Sequence, residues 1–308
     1  MCGTCGCADG GGQGGGGPRI TGFTRPPGHP HGGHGHEHDH AGHGHDGHDH
    51  AGHDHGGHGH TRVSGGGLDG DSVMRDSVPA PAVDGVAGDG ETITLEQKVL
   101  AKNEDLAALN RAWLAERDIV AVNMMSSPGA GKTTLLERTI RVLTGRGRPV
   151  AVIEGDQETT LDAERIGGAG GSVVQINTGA GCHLDAEMVR GALTTLAPPA
   201  GSLLLVENVG NLVCPALFDL GERSRVVIIS VTEGTDKPIK YPHMFAVADL
   251  MIINKIDLLP YVDFDPDQCE KHARSVRPNL KTLQVSATTG EGLSGWYDWL
   301  DERAHHPG

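Results

Sequence analysis

The sequence predicts an α/β fold, a mostly parallel sheet flanked by helices, carried by residues 92–308 of the 308-residue chain. Three observations predict it. Short, continuous, β-branched apolar runs alternate with segments of helical spacing, the pattern of strands covered on both faces by crossover helices. A glycine-rich loop stands between the first such run and a helix. Composition also breaks near residue 90: residues 1–90 hold 28 of the 48 glycines and no apolar run of strand or helix periodicity, too little to offset the entropy of ordering a domain.

Residues 1–17 carry a cysteine cluster, Cys2, Cys5 and Cys7, followed by a glycine run. Residues 18–91 hold a tract from His29 to His60, with 14 of the 19 histidines, and then a linker rich in Gly, Asp, Pro and Val. Such a composition is expected to stay disordered. The start Met1-Cys2-Gly3-Thr4 lacks the basic and apolar regions of a secretory signal. Apolar runs fall short of the ~20 residues that span a bilayer, and the six cysteines form no disulfide framework. The expectation is a cytoplasmic protein with reduced thiols. The net charge of −15 divides into −7 for residues 1–90 and −8 for the remainder, without a basic stripe, which argues against nucleic acid or an anionic membrane as partner.

From Thr92, Leu95, Val99, Leu106, Leu109, Trp113 and Leu114 recur at helical spacing and predict one or two leading helices. Strands are expected at 119–125, 149–153, 173–176, 203–206, 226–231, 250–253 and 282–285, with helices between them, notably 184–196, and a closing helix at 293–303. Ligands of such sheets bind at the carboxyl ends of the strands.

At the end of the first strand stands Ser126-Ser127-Pro128-Gly129-Ala130-Gly131-Lys132-Thr133-Thr134. It fits the phosphate-binding loop G-x-x-x-x-G-K-[ST] with Ser126 in place of the first glycine. Gly129, Ala130 and Gly131 would present backbone N–H groups to phosphates, Lys132 would neutralise the β/γ oxygens, and Thr133, followed by Thr134 in the helix, would hold Mg²⁺. Far downstream, Asn254-Lys255-Ile256-Asp257 ends an apolar strand, and Ser286-Ala287 follows a later one; Asn254, Lys255, Asp257, Ser286 and Ala287 are read as nucleotide-binding residues. A carboxylate at Asp257 accepts from guanine N1–H and the exocyclic amine, whereas adenine would leave it unpaired, so GTP and GDP are favoured over adenine nucleotides. Between these motifs Asp156, in Glu154-Gly155-Asp156, and Glu207, in Glu207-Asn208-Val209-Gly210, occupy strand ends. Asp156 is assigned to Mg²⁺ or water positioning and Glu207 to the γ-phosphate end; with Lys132 they form the predicted catalytic set.

Cys2-x-x-Cys5-x-Cys7 places three thiolates on a glycine-rich turn, suited to nickel, zinc, copper or an iron–sulfur cluster without choosing among them. The histidine tract offers many imidazoles of modest individual affinity, a reservoir. In the folded part, Cys182-His183 precede a helix, and Cys214 lies four residues after Gly210, on a segment that should respond to the γ-phosphate. Three ligands leave a tetrahedral site one short, to be completed by water or a second subunit. Cys269 and His243 are read as structural.

Residues 92–308 and the Cys2–Cys7 cluster closely resemble the HypB family, the nickel-inserting GTPases of NiFe-hydrogenase maturation. The likeness rests on Ser126 to Thr134, Glu154-Gly155-Asp156, Thr178-Gly179-Ala180-Gly181-Cys182-His183-Leu184, Glu207 to Pro215, Tyr241-Pro242-His243-Met244-Phe245 and Asn254-Lys255-Ile256-Asp257. The resemblance implies a SIMIBI-type G domain, a GTP-dependent homodimer, and nickel delivery to the hydrogenase large-subunit precursor with a HypA-type accessory protein. It further implies a tight nickel site at Cys2, Cys5 and Cys7, and a weaker nickel or zinc site at Cys182, His183 and Cys214. Turnover should be slow, since no arginine finger is evident. Two other readings are a nickel-storage protein with incidental nucleotide binding and a urease-type nickel GTPase; the cysteine start and Cys214 favour the hydrogenase branch.

Overall fold

A computed structural model describes residues 18–23, 89–156 and 161–305. The Cys2–Cys7 cluster, the histidine tract and the linker lie outside the described residues.

Seven strands of the sheet fall where the apolar runs predict them: β2 (Val120–Ser126), β3 (Val150–Asp156), β4 (Ser172–Asn177), β5 (Leu203–Glu207), β6 (Ser224–Ser230), β7 (Leu250–Asn254) and β8 (Lys281–Gln284). All seven run parallel, and β2, β5 and β7 are buried along their whole length. An eighth strand, β1 (Arg19–Phe23), pairs antiparallel with β4, giving the order β1-β4-β3-β5-β2-β6-β7-β8 among the described residues. The stretch expected to be only tract and linker therefore contributes an edge strand. Its five residues, Arg-Ile-Thr-Gly-Phe, are mostly exposed, so no alternating burial marks them; Ile20 is held where a Cβ on Gly191 would meet it at 2.8 Å.

Around the sheet lie α1 (Asp89–Ala115), one helix rather than two, then α2 (Lys132–Gly145), α3 (Leu161–Gly168), α4 (Ala186–Leu196), α5 (Lys237–Lys240), α6 (Pro242–Val247), α7 (Pro266–Val276) and α8 (Leu293–His305). The pleat sends alternate residues of β2 to opposite faces. Val120, Val122 and Met124 join Leu135, Leu136, Ile140 and Trp296 under α2 and α8. On the other face Met125 packs with Phe245 and Cys269 beneath α6 and α7, and Ala121 with Leu114, Leu184 and Val189 beneath α1 and α4. Burial pushes the Cys269 thiol up to about 12, so it packs as a small apolar residue. Among the described residues no helix is long and apolar enough to cross a membrane.

One departure from the expected boundaries matters for the site. β3 runs on to Asp156, three residues beyond its apolar part, because Glu154 still pairs with Gln175 and Glu207 across the ladder and Asp156 with Asn177. Its polar end is therefore placed by the ladder, Glu154 from both sides and Asp156 from one.

Candidate functional site

The carboxyl ends of β2, β3 and β5 open onto a cleft of about 520 Å³ lined by Gly129, Lys132, Thr133, Glu154, Asp156 and Glu207, among others. That volume suits a small-molecule ligand. Its floor is the loop predicted to hold phosphates. Gly131 has φ +94°, and a Cβ there would meet Nδ2 of Asn254 at 2.6 Å, so the position admits only glycine. Ser126, the departure from the usual loop pattern, is fully buried and has a task of its own. Its hydroxyl donates to the carbonyl of Ser127 (2.6 Å) and accepts from Lys132 Nζ (2.8 Å). It thereby points the lysine along the loop at the mouth of α2.

Thr133 Oγ1 donates to Glu207 Oε1 (2.9 Å), while Glu207 Oε2 is buried without a hydrogen bond. Glu154, which sequence reasoning left unassigned, stands beside Glu207 in the ladder on the same face of the sheet, 2% exposed, and its Oε2 is likewise unpartnered. The signal was available in the Glu154-Gly155-Asp156 motif, but a carboxylate two residues inside a strand reads as a strand end. Burial, then Glu207 and Asp156, pushes the Glu154 carboxyl up to about 8; burial pushes Glu207 up to about 7 against the pull of Lys132 and Thr133. Two neighbouring carboxylates held above their ordinary range are a receptor for positive charge.

These groups bind more protons folded than unfolded between about pH 4.5 and 8, so the nucleotide-free protein loses stability as pH rises through that window. His183, whose pKa burial lowers, slopes the other way only below its ordinary value of 6.5. Between pH 6.5 and 8 the melting temperature is therefore expected to fall, and Glu154→Gln to flatten the decline. Thermal unfolding across that range checks this; parallel curves for the two proteins would contradict it.

The Asn254–Asp257 motif divides its labour. Asn254 donates to the Ala130 carbonyl (2.9 Å) and accepts from the Ala287 N–H (3.0 Å), and Lys255, at φ +62°, donates to the Gly129 carbonyl (2.7 Å). Both brace the phosphate loop, and Asn254 ties it to the Ser286-Ala287 turn. Asp257 is left with a buried, unpartnered Oδ1, the acceptor a guanine edge requires. At the rim, Arg165 of α3 also lines the cleft, but it is paired with Glu137 (2.7 Å) and Asp162 (3.0 Å).

The fold brings Cys214 to Cys182 and His183 from 32 residues away. Cys182 Sγ lies 2.9 Å from Cys214 Sγ and 3.6 Å from His183 Nδ1, and the three ligand atoms all lie within 4.8 Å of one another. No other such cluster of histidine, cysteine and carboxylate ligands occurs among the described residues. Cys214 opens a short 3₁₀ turn, Cys214–Ala216, fixed by Asn211 Oδ1 accepting from the Val213 N–H (2.7 Å). The His183 ring stacks on Phe218 with centroids 4.0 Å apart, and burial, opposed in part by Asp185, lowers its pKa. The imidazole is thus neutral at physiological pH, as a metal ligand must be. Two thiols and an imidazole suit nickel or zinc.

The chain is similar to known nucleotide-binding and hydrogenase-maturation proteins. Residues 120–284 match the family described as CobW/HypB/UreG, nucleotide-binding domain. The chain is 56% identical over 211 residues to the hydrogenase maturation factor HypB of Azotobacter vinelandii, covering 68% of this chain and 69% of that protein. It is 53% identical over 209 residues to HypB of Escherichia coli (strain K12), covering 68% and 72%. Among solved structures, HypB from Archaeoglobus fulgidus is 42% identical with a TM-score of 0.62, over 67% of this chain and 100% of the other. HypB from Helicobacter pylori, solved in complex with nickel, is 35% identical with the same score and the same coverage.

Proposed function

Since this chain belongs to the CobW/HypB/UreG nucleotide-binding family and, within it, to the HypB hydrogenase maturation factors, we propose that it is a GTP-hydrolysing nickel metallochaperone acting in the cytoplasm. The observation that carries the reading is the Cys182, His183 and Cys214 cluster, whose third ligand stands on the segment that leaves the nucleotide cleft through Glu207-Asn208-Val209-Gly210. The domain, residues 92–308, binds GTP. The nickel held by the relative from Helicobacter pylori supports nickel as cargo here, with zinc a second ion for the same donors. Cys2, Cys5 and Cys7 and the histidine tract are the acquisition and storage part.

The cleft fits Mg²⁺. The Thr133 hydroxyl, Asp156 and the unpartnered oxygen of Glu207 would hold it, and bound there it supplies charge stabilisation to the transferring phosphoryl group. Lys132, aimed by Ser126, takes the β/γ oxygens, and Asp257 reads the guanine. Asp156 and Glu207 orient the attacking water. With Arg165 tied to Glu137 and Asp162, no free arginine serves the γ-phosphate among the described cleft residues, in keeping with slow turnover. GTP orders the loops around Asp156 and Glu207 and favours a homodimer, whose second copy completes the three-ligand site; hydrolysis lowers its hold on nickel. The metal passes with a HypA-type accessory protein to the hydrogenase large-subunit precursor.

Nickel titration of the full chain with GDP and with a non-hydrolysable GTP analogue tests the reading. The internal site is expected to differ at least several-fold in affinity between the two states, and Cys214→Ala to weaken that site about 100-fold or more and remove the difference. Identical affinities in both states for both proteins would defeat it.

A further inference from the structure

Asn208 follows Glu207 directly, lines the cleft and is 1% exposed. The polar atoms of its side chain are taken up by protein partners. Oδ1 accepts from the Leu184 N–H (3.2 Å) and from the Val209 N–H (3.0 Å), and Nδ2 donates to Asn123 Oδ1 (3.3 Å). Two backbone donors fix which end of the amide is oxygen. Asn123, fully buried in the middle of β2, passes the chain on to Glu222 Oε1 (3.1 Å), which also accepts from Arg225 Nε (2.6 Å). The amide is therefore anchored to the sheet on one side and grips a loop on the other.

The residue it grips is the one after Cys182-His183. The Leu184 side chain is fully buried and seated on Gly155, where a Cβ would meet it at 2.8 Å. So the two segments that flank the γ-phosphate end of the cleft, Glu154-Gly155-Asp156 and Glu207-Asn208-Val209-Gly210, both touch Leu184, one through packing and one through its main-chain N–H. Gly210 in turn lies against Pro128 of the phosphate loop, where a Cβ would stand 3.1 Å from its Cα. A shift of either segment cannot leave Leu184 in place, because close-packed groups have no slack to absorb it.

We propose that Asn208 is the positioning residue through which the nucleotide state sets the geometry of the metal site: it holds Leu184, and with it Cys182 and His183, in register with the segment that carries Cys214. This deepens the nickel-chaperone reading and rests on it. Asn208 touches neither metal nor reacting phosphate; it acts through the Leu184 N–H. Losing it leaves that buried N–H without its acceptor and frees the ligand loop from the cleft.

The test uses the full chain with Cys2→Ser, Cys5→Ser and Cys7→Ser, so that sulfur-to-nickel charge-transfer absorption reports the internal thiolates. Nickel affinity is read against a competing chelator at saturating Mg²⁺-GDP and at saturating Mg²⁺ and non-hydrolysable GTP analogue. The parent is expected to show an affinity ratio of about 5 or more between the two states. Asn208→Ala is expected to bind nickel with the same charge-transfer spectrum but a ratio near one. Asn208→Asp, which keeps an acceptor for the Leu184 and Val209 N–H groups but replaces the donor to Asn123 with a second acceptor, should restore part of the ratio. Gly155→Ala, pressing on Leu184 from the other side, should also change the ratio and serves if Asn208→Ala does not fold. A parental ratio of one overturns the coupled-chaperone reading and this role with it. A parental ratio that persists in Asn208→Ala, or in Gly155→Ala where that variant stands in for it, overturns the positioning role alone.

Discussion

Lys132→Ala is expected to lower GTP hydrolysis by about 1000-fold or more while leaving the fold intact. The lysine is buried at the mouth of α2, and its Nζ is held by Ser126 Oγ at 2.8 Å. Charge stabilisation by a fixed group in a water-poor cleft costs nothing to reorganise at the moment of reaction, and losing one such group typically removes two to three orders of magnitude. Here the loss is compounded. Lys132 is the foremost influence holding the Glu207 carboxyl down against burial, so without it Glu207 titrates higher and presents less negative charge to Mg²⁺ at neutral pH. The variant should therefore show two linked effects: single-turnover hydrolysis collapses, and the pH-dependent loss of stability extends to higher pH. Lys132→Arg is not expected to rescue, because a planar fork does not fit the place a compact ammonium takes beside Ser126 Oγ. Hydrolysis within tenfold of the parent would show that the lysine is only a helix-terminal cation.

Much of this was legible in the sequence, and the rest was hidden for physical reasons. Val120–Ser126, Leu203–Glu207 and Leu250–Asn254 were readable because a strand buried on both faces must be continuously apolar. Arg19–Phe23 was not, since an edge strand that buries little carries no such signature. Lys132, Thr133 and Asp257 were readable from spacing, because phosphate and guanine chemistry demand those side chains at those places. Asn254 and Lys255 stand in one motif with the base-reading Asp257, and in the structure they hold the Ala130 and Gly129 carbonyls; a motif's spacing reports that residues act together without saying on what. Glu154 and Asn208 needed three dimensions. One matters through its strand neighbour Glu207, the other through a hydrogen bond to Leu184 from 24 residues away; the motif marks Glu154 as a residue of interest, but neither partner can be read along the chain. Residues 1–17 and most of 18–91 bear on storage and stay an expectation from composition.

Asp257→Asn is expected to cost about 1000-fold in GTP affinity and to turn the preference toward xanthosine triphosphate. The carboxylate offers two acceptor oxygens, one of them buried and unpartnered, to the two adjacent donors of guanine. An asparagine there offers one acceptor and one donor, so guanine loses a charge-assisted hydrogen bond and faces an N–H against its own N–H. A bond to a charged group is worth about 1.5–3 kcal/mol and the unmatched pair adds to it, which together reach about 4 kcal/mol. Xanthine carries a carbonyl where guanine carries the amine, and so pairs with the new donor. The phosphate loop should be untouched, because its braces are Asn254 and Lys255 rather than Asp257. Competition between fluorescent guanine and xanthine nucleotides measures the switch, and an unchanged preference for guanine would place base recognition elsewhere. The variant also separates two causes that wild type confounds. If nickel affinity follows the state of the phosphates, a non-hydrolysable xanthosine triphosphate analogue should shift it in Asp257→Asn as the guanine analogue does in the parent, with the guanine analogue now inert at the same concentration. A shift driven by the guanine analogue in both proteins would mean that the metal site responds to something other than an occupied cleft.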